Sequence, residues 1–387
     1  MRTYLDHNAT TPLRAEARAA MLAAMNLVGN PSSVHAEGRA ATNVVERARA
    51  QVAALVGCRR AQVIFTSGAT EAAALAVAQK ARHGGVFLSL PTEHDCFLDW
   101  SDAQVPALVG RNGRAVLQMD EMTCQLAGAT QSDAVLLAIS AGNSETGLIT
   151  PVLPNCSAYE ISGHNDEGVK PVDVATVCDV TQVVGRLKLN WDPQLKPAYA
   201  ILSAHKIGGP KGVGALINFT SEDPEAILRG GGQEMGRRSG TENTLGIAGF
   251  GAAAEAAARD VEAGKWAEVE KLRNILETGL EALDKETIFV GKDAARLPNT
   301  SCILTPGWKG ETQVMQMDLA GFAISAGSAC SSGKVKASKV LLAMGYNEIE
   351  ASSAIRVSLG LETTEEDIAR FIDAWGDKRK KHKARAA

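Results

Sequence analysis

From about residue 40 to residue 250 the chain alternates short apolar runs with longer stretches of helical character, and no other feature restricts its fold as much. Val63-Ile64-Phe65, Gly85 to Leu88, Ala134 to Ile139, Val174 to Asp179, Ala198 to Ser203 and Gly214 to Ile217 read as strands. Such alternation predicts a mostly parallel α/β sheet between helices, with ligands at the carboxyl ends of its strands. Beyond Glu255 the pattern changes. Trp266, Val269, Leu272, Leu276, Leu280 and Leu283 recur at three- and four-residue spacings, as do Ile368, Phe371, Ile372 and Trp375 after Thr363-Thr364-Glu365-Glu366, which resembles a capping box. These helices predict a smaller second domain. The division is a large domain over 16–255 and a small one made of 1–15 and 256–387.

At 387 residues the chain can bury roughly three-quarters of its unfolded surface, enough for a water-poor site. Six of its positive charges sit in the last ten residues; without them the net charge falls from −4 to −10. An acidic body argues against nucleic acid as a partner, and the basic end reads as a solvated helix terminus. No apolar run is long enough to span a membrane, and the opening MRTYLDHNATTP lacks the layout of a signal peptide, so a cytoplasmic protein is expected. The seven cysteines contain no CxxC pair and indicate neither a zinc knuckle nor a disulfide framework. Residues 154–171 are polar and read as a long loop.

After the apolar run Tyr199 to Leu202 the chain reads Ser203-Ala204-His205-Lys206-Ile207-Gly208-Gly209-Pro210. Most lysines are solvated surface charges. Here the apolar residues before Lys206 favour a partly desolvated amine, which can form a Schiff base with an aldehyde cofactor. Pyridoxal phosphate needs such an amine and also an acid facing its ring nitrogen. Asp179 ends the preceding apolar run, where a carboxylate is costly without a cationic partner. Phe65-Thr66-Ser67-Gly68-Ala69-Thr70-Glu71 supplies a glycine turn opening an alanine-rich helix, either a well-capped helix or a phosphate site. The glycines after Lys206 let the backbone turn sharply away from a bound ring.

TYLDHNATTP, GNPSSVH, FTSGATE, TEH, NSETG, DVTQ, SAHKIGGPKG, RRSGTEN, GSACSSG and IRVSLG occur collinearly from residue 4 to about 375. Together they resemble the NifS/IscS-type cysteine desulfurases, pyridoxal-phosphate enzymes of the class V aminotransferase family. The resemblance implies fold type I: a large domain with a mostly parallel, seven-stranded-type sheet between helices, plus a smaller α+β domain. It implies pyridoxal 5'-phosphate on Lys206, with Asp179 at the ring nitrogen and Gln182 donating to the ring hydroxyl. His94 is implied as the histidine that stacks on the ring and moves protons. Ala69, Thr70, Ser203 and His205 match phosphate contacts. Thr241 matches a threonine lent by the other subunit of a homodimer. The family reads Asn-Asn-Glu where this chain has Asn143-Ser144-Glu145, so Ser144 stands at a cofactor-contacting position with a shorter reach.

Schiff-base machinery serves many reactions, and Ser325-Ala326-Gly327-Ser328-Ala329-Cys330-Ser331-Ser332-Gly333 narrows the choice. A cysteine among small residues suits an exposed loop, which makes Cys330 the candidate nucleophile. A phosphate-binding loop is excluded: five residues separate Gly327 from Gly333, and Val335 stands where Ser or Thr would hold magnesium. Arg356 lies in an apolar strand and needs an anion, either a structural carboxylate or, as the family implies, the carboxylate of an amino-acid substrate. The implied reaction converts L-cysteine to L-alanine. Cys330 attacks the substrate sulfur and becomes a persulfide, to be passed to an iron–sulfur scaffold or another sulfur-acceptor protein. Cys330 then touches iron–sulfur chemistry only transiently, through that persulfide. RGGGQEMGRRSGTEN and RLPNTS lean toward the nitrogen-fixation branch. The alternatives are a selenocysteine lyase, another class V aminotransferase or lyase, and an inactive scaffold for sulfur-trafficking partners.

Overall fold

The runs at 173–179 and 199–203 lie side by side as parallel strands, and the main sheet extends outward from them. The computed structural model describes residues 2–104, 108–109, 115–116, 134–150, 173–191, 196–327 and 337–386. Its strands, in chain order, are β1 (Thr3–Tyr4), β2 (Val63–Thr66), β3 (Phe87–Ser89), β4 (Ala103–Gln104), β5 (Leu108–Val109), β6 (Ala115–Val116), β7 (Ala134–Ser140) and β8 (Asp173–Asp179). They continue with β9 (Tyr199–Ser203), β10 (Gly214–Asn218), β11 (Ile288–Phe289), β12 (Thr300–Leu304), β13 (Phe322–Ala323), β14 (Ser325–Ala326) and β15 (Ile355–Ser358). Seven form the main sheet, in the order β2-β10-β9-β8-β7-β3-β4. All its pairings are parallel except the two made by β10. A parallel return needs a long crossover, whereas residues 204–213 hold only a short turn, so β10 comes back antiparallel with Gly214 opposite Ser203.

Both faces of this sheet are covered, which is why its central strands are mostly apolar. Ala200 and Leu202 pack with Val52, Ile247 and Phe250 from the helices Ala36–Val56 and Thr244–Glu262. Tyr199 and Ile201 pack on the other face with Leu75 of the helix Ala69–Val77 and with Phe97. The expected strands are present, with β3 displaced to 87–89, and the two-residue edge strand β4 carries no apolar run to announce it. The loop read at 154–171 lies outside the described residues.

A second, antiparallel sheet has the order β11-β12-β15-β14. Leu276, Trp308, Ile355, Val357, Phe371 and Trp375 fill the core between it and the helices Trp266–Leu283 and Glu365–Ala386. β1 pairs with β13, and Asp6 bridges to Ser358, so the start of the chain joins this second body. Two expectations are corrected here. The capping box that opens the last helix is made by Thr364 and Asp367, whose short carboxylate returns to the Thr364 N–H at 3.2 Å. The basic end is not wholly solvated: Arg379 is buried against Asp284 at 2.6 Å, and Lys383 reaches the same carboxylate at 2.9 Å.

Glu234 and Met235 have φ of 50° and 60°, a left-handed conformation that costs a side-chain-bearing residue energy. The buried Glu234 carboxylate holds this turn against β2. It accepts two hydrogen bonds from Arg49, at 2.7 and 2.8 Å, and one from the Phe65 N–H at 3.0 Å. Glu234→Ala removes the two-point carboxylate partner of the buried Arg49 guanidinium, leaving it Glu46 at 2.9 Å and the Val63 carbonyl, and lowers the unfolding free energy by about 3 kcal/mol, measured by urea titration.

Candidate active site

Lys206 closes a short 3-10 turn, Ala204–Lys206, at the carboxyl end of β9. Gly208 has φ +82°, and a Cβ there would stand 2.5 Å from the Arg14 side chain, so the reversal after the lysine requires glycine. The N-terminal segment crosses this turn and pins it. Thr11 donates its N–H to the His205 carbonyl at 2.9 Å and its hydroxyl to the Lys206 carbonyl at 2.9 Å. The Lys206 amine in turn donates to the carbonyls of Asn8, at 2.6 Å, and Ala9, at 2.9 Å. Asn8 is buried and fixed on every side. Its N–H donates to the Ser358 hydroxyl, its amide nitrogen to the Ser144 carbonyl and the Thr300 hydroxyl, and its amide oxygen accepts from Asn299.

Burial pushes the Lys206 amine down to about 8, helped by the charges of Arg356 and Arg186 and opposed by Asp179 and Asp6. A lysine poised there is a neutral nucleophile about a tenth of the time at pH 7, against well under a thousandth for an ordinary lysine. His205, beside it, is lowered to about 4 by burial and by the Lys206 and Lys211 charges, and its Nδ1 lies 3.1 Å from the Thr10 hydroxyl. It is therefore a neutral imidazole.

The strand order brings the other groups to the same edge. Asp179 ends β8 one strand from β9, opposite Ile201. Its carboxylate accepts from the Thr181 N–H at 2.8 Å, and no ion pair among the described residues takes it. Buried Gln182 donates its side-chain amide to the Asn8 carbonyl at 3.1 Å. Ser203 is the last residue of β9 and is buried. Thr66 lies opposite Gly214, which lies opposite Ser203, and the chain then enters the helix Ala69–Val77 through Gly68. That helix has no side-chain cap, which leaves the N–H groups of Ala69 and Thr70 for an outside acceptor. A Cβ on Gly214 would sit 2.7 Å from the Gly68 backbone, so only glycine lets β10 press against this turn.

Arg356 is the one buried basic residue of β15, and β12 and β14 flank it. It donates to Asp6 at 2.8 Å and to the Ser144 carbonyl at 3.0 Å, and its Nε has no partner. Ser144 thus enters the site through its backbone. His94 is exposed at the head of the helix Asp95–Leu98, and its Nδ1 accepts from the Cys96 N–H at 3.1 Å, leaving Nε2 to carry the proton of the neutral ring. Thr241 is also exposed and lines a cavity of about 110 Å³ with Thr66, Ser67, Gly212 and Arg238. Cys330 lies outside the described residues.

These groups fit pyridoxal phosphate. The desolvated Lys206 amine suits an aldehyde, and the half-buried Asp179 carboxylate, without a cation of its own among the described residues, suits a protonated ring nitrogen. The uncapped helix start suits a phosphate. Sequence reasoning did not single out Asp6, Asn8, Ala9 or Arg186. Asn8 and Ala9 act through carbonyls, which any residue possesses, and the opening MRTYLDHNATTP is mostly polar, so Asp6-His7-Asn8 does not stand out in it.

The aminotransferase class-V family model matches residues 3–371. Curated relatives include a cysteine desulfurase of Frankia sp., 38% identical over 96% of this chain and 89% of that protein. Another is the cysteine desulfurase IscS of Dictyoglomus turgidum, 34% identical over 96% of this chain and 92% of that protein. A NifS-like protein from Rickettsia africae superposes with a TM-score of 0.83 at 30% identity, over 98% of this chain and all of that one. With sequence and fold matching from end to end around a lysine built to meet an aldehyde, the chain belongs to the class-V aminotransferase family, among the cysteine desulfurases.

Proposed function

We propose that this protein is a pyridoxal-phosphate-dependent cysteine desulfurase, which converts L-cysteine to L-alanine and retains the sulfur as a persulfide on Cys330. The observation that carries the reading is the Lys206 amine, lowered to about 8 and gripped by two carbonyls at the edge where Asp179, Gln182 and an uncapped helix start converge. When bound, pyridoxal phosphate supplies an aldehyde for the amine and a ring that withdraws electrons from the substrate. Lys206 would hold that aldehyde and, once the substrate amine takes its place, would move the proton at the substrate α-carbon. Asp179 would face the ring nitrogen and keep it protonated, Gln182 would donate to the ring hydroxyl, and Ala69, Thr70, Ser203 and His205 would hold the phosphate. Arg356 turns its guanidinium from Asp6 to the substrate carboxylate, and Ser144 sits beside it. His94 carries protons for the substrate thiol. Cys330 attacks the substrate sulfur as thiolate: an S–S bond forms, the Cβ–S bond breaks, and the carbon keeps the electron pair and takes up a proton.

The reading extends to a cytoplasmic homodimer that hands its persulfide to an iron–sulfur scaffold, including one that serves nitrogen fixation. Exposed Thr241 supports the dimer, as do Val28, Val34 and Met235, which are 93%, 87% and 66% exposed. Gln233 and Ser32 meet at 3.4 Å, which brings the segments bearing these apolar side chains together. The pairing of β1 with β13 supports grouping residues 1–15 with 256–387 as the small domain. Among the described residues, no helix is long and apolar enough to cross a membrane.

The test is to incubate the purified chain, loaded with pyridoxal phosphate, with L-cysteine and a thiol reductant. Alanine and sulfide appear in equal amounts. A keto acid without sulfide identifies a transaminase, turnover confined to L-selenocysteine identifies a selenocysteine lyase, and no product at all leaves only a scaffold.

A further inference from the structure

Arg186 is buried to 3% exposure, and no ion pair among the described residues takes it. A guanidinium in that state is costly, and an arginine whose purpose is structural usually finds a carboxylate. This one spends its donors on carbonyls instead. Its Nη1 donates to the backbone oxygen of Gln182 at 2.5 Å and to the side-chain Oε1 of the same residue at 2.8 Å. Its Nη2 reaches the His7 carbonyl at 3.4 Å, and its Nε has no partner.

A guanidinium only donates, so the end of the Gln182 amide that faces Arg186 must be the oxygen. The NH2 end is thereby turned the other way, to the Asn8 carbonyl at 3.1 Å, the same oxygen that accepts from Lys206. Without Arg186 the amide is free to flip and to offer an acceptor where the site needs a donor. The second consequence is electrostatic. Lys206 is faced by Arg356 from β15, Arg186 and Asp179 from β8 and its continuation, Asp6 from the N-terminal segment, and its neighbour His205. Arg356 is offset by Asp6 at 2.8 Å, whereas no carboxylate among the described residues pairs with Arg186, which lies over the Trp266 ring at 5.9 Å.

We propose that Arg186 is a positioning residue of the Lys206 site: its guanidinium fixes which end of the Gln182 amide faces the lysine, and its charge, which no carboxylate among the described residues pairs with, stands in the same enclosure. The inference rests on the reading of Lys206 as the cofactor lysine. His7 reports the charge independently of any cofactor. Burial lowers its imidazole to about 4, with Arg186 as the next cause, while its hydrogen bond with Tyr4 and the Asp6 charge oppose.

The experiment compares wild type, Arg186→Met and Arg186→Lys as full-length protein. In Arg186→Met the urea midpoint does not fall, the His7 ring signal titrates at higher pH by NMR, and kcat/KM for L-cysteine at pH 7 drops roughly tenfold. The pH at which the bound cofactor changes its absorbance also shifts. Arg186→Lys keeps the charge and loses the paired contact to Gln182, so the His7 titration stays in place while kcat/KM still drops. A lower urea midpoint in Arg186→Met with His7 and kcat/KM unchanged makes Arg186 a structural filler and overturns the proposal. If the Met variant does not fold, wild-type kcat/KM in Arg186→Lys overturns the role assigned to the Gln182 contact. A wild type that turns over no cysteine refutes the functional reading instead, which the His7 titration and the urea curves do not depend on.

Discussion

Lys206→Ala protein purifies without covalently held pyridoxal phosphate and desulfurates L-cysteine at least about 1,000-fold more slowly, since the anchor and the group that moves the α-proton are lost together. Borohydride treatment followed by peptide mass spectrometry shows the adduct on the wild-type peptide containing Lys206 and none in the variant; an unmodified wild-type peptide overturns the assignment. The same substitution makes the chain more stable. The folded amine releases its proton near 8 and an ordinary lysine near 10.5, so below pH 8 the wild type carries a cost of about 3 kcal/mol, before lost packing is counted. Between pH 8 and 10.5 the unfolded chain binds more protons than the folded one, and wild-type stability rises with pH. The advantage of Lys206→Ala, measured by urea titration without cofactor, is therefore largest at pH 7 and fades as the pH approaches 10.5. Uptake of pyridoxal phosphate by the cofactor-free protein slows as the pH drops below 8, because the protonated amine is no nucleophile.

Cys330→Ala retains the cofactor absorbance and loses sulfide release to below about 1% of wild type, the signature of a group that acts only after substrate is bound. Burial argues against the four described cysteines as substitutes. It pushes the Cys58 thiol up to about 12 and raises Cys96, Cys178 and Cys302 as well, so none is a thiolate at neutral pH. Cys124 and Cys156 lie outside the described residues, and serine at both leaves sulfide release intact. Loss of release in that double variant, with Cys330→Ala active, reassigns the nucleophile.

What the sequence discloses about this site follows from where each side chain acts. Lys206 and Asp179 are legible because each is a charge at the end of an apolar run, and burial gives such a charge few roles. Arg356 is legible for the same reason, yet its companion Asp6 lies 350 positions away and no spacing rule connects them. Thr66-Ser67-Gly68 announces its turn, whereas the close approach of Gly214 that shapes it depends on β10 returning antiparallel. Arg186 escapes notice because it follows the motif Asp179 to Gln182 as an ordinary basic residue; only its burial without a carboxylate marks it. The capping box was placed one residue early because Glu and Asp both satisfy the pattern, and side-chain length decides between them.

The grip of Asn8 on Ser358, Asn299 and Thr300 sets when in its life the protein can become chemically active. Asn8 and Ser358 stand 350 positions apart, and contacts so distant along a chain form late. A nascent or half-folded copy therefore offers free aldehydes only an ordinary, charged lysine.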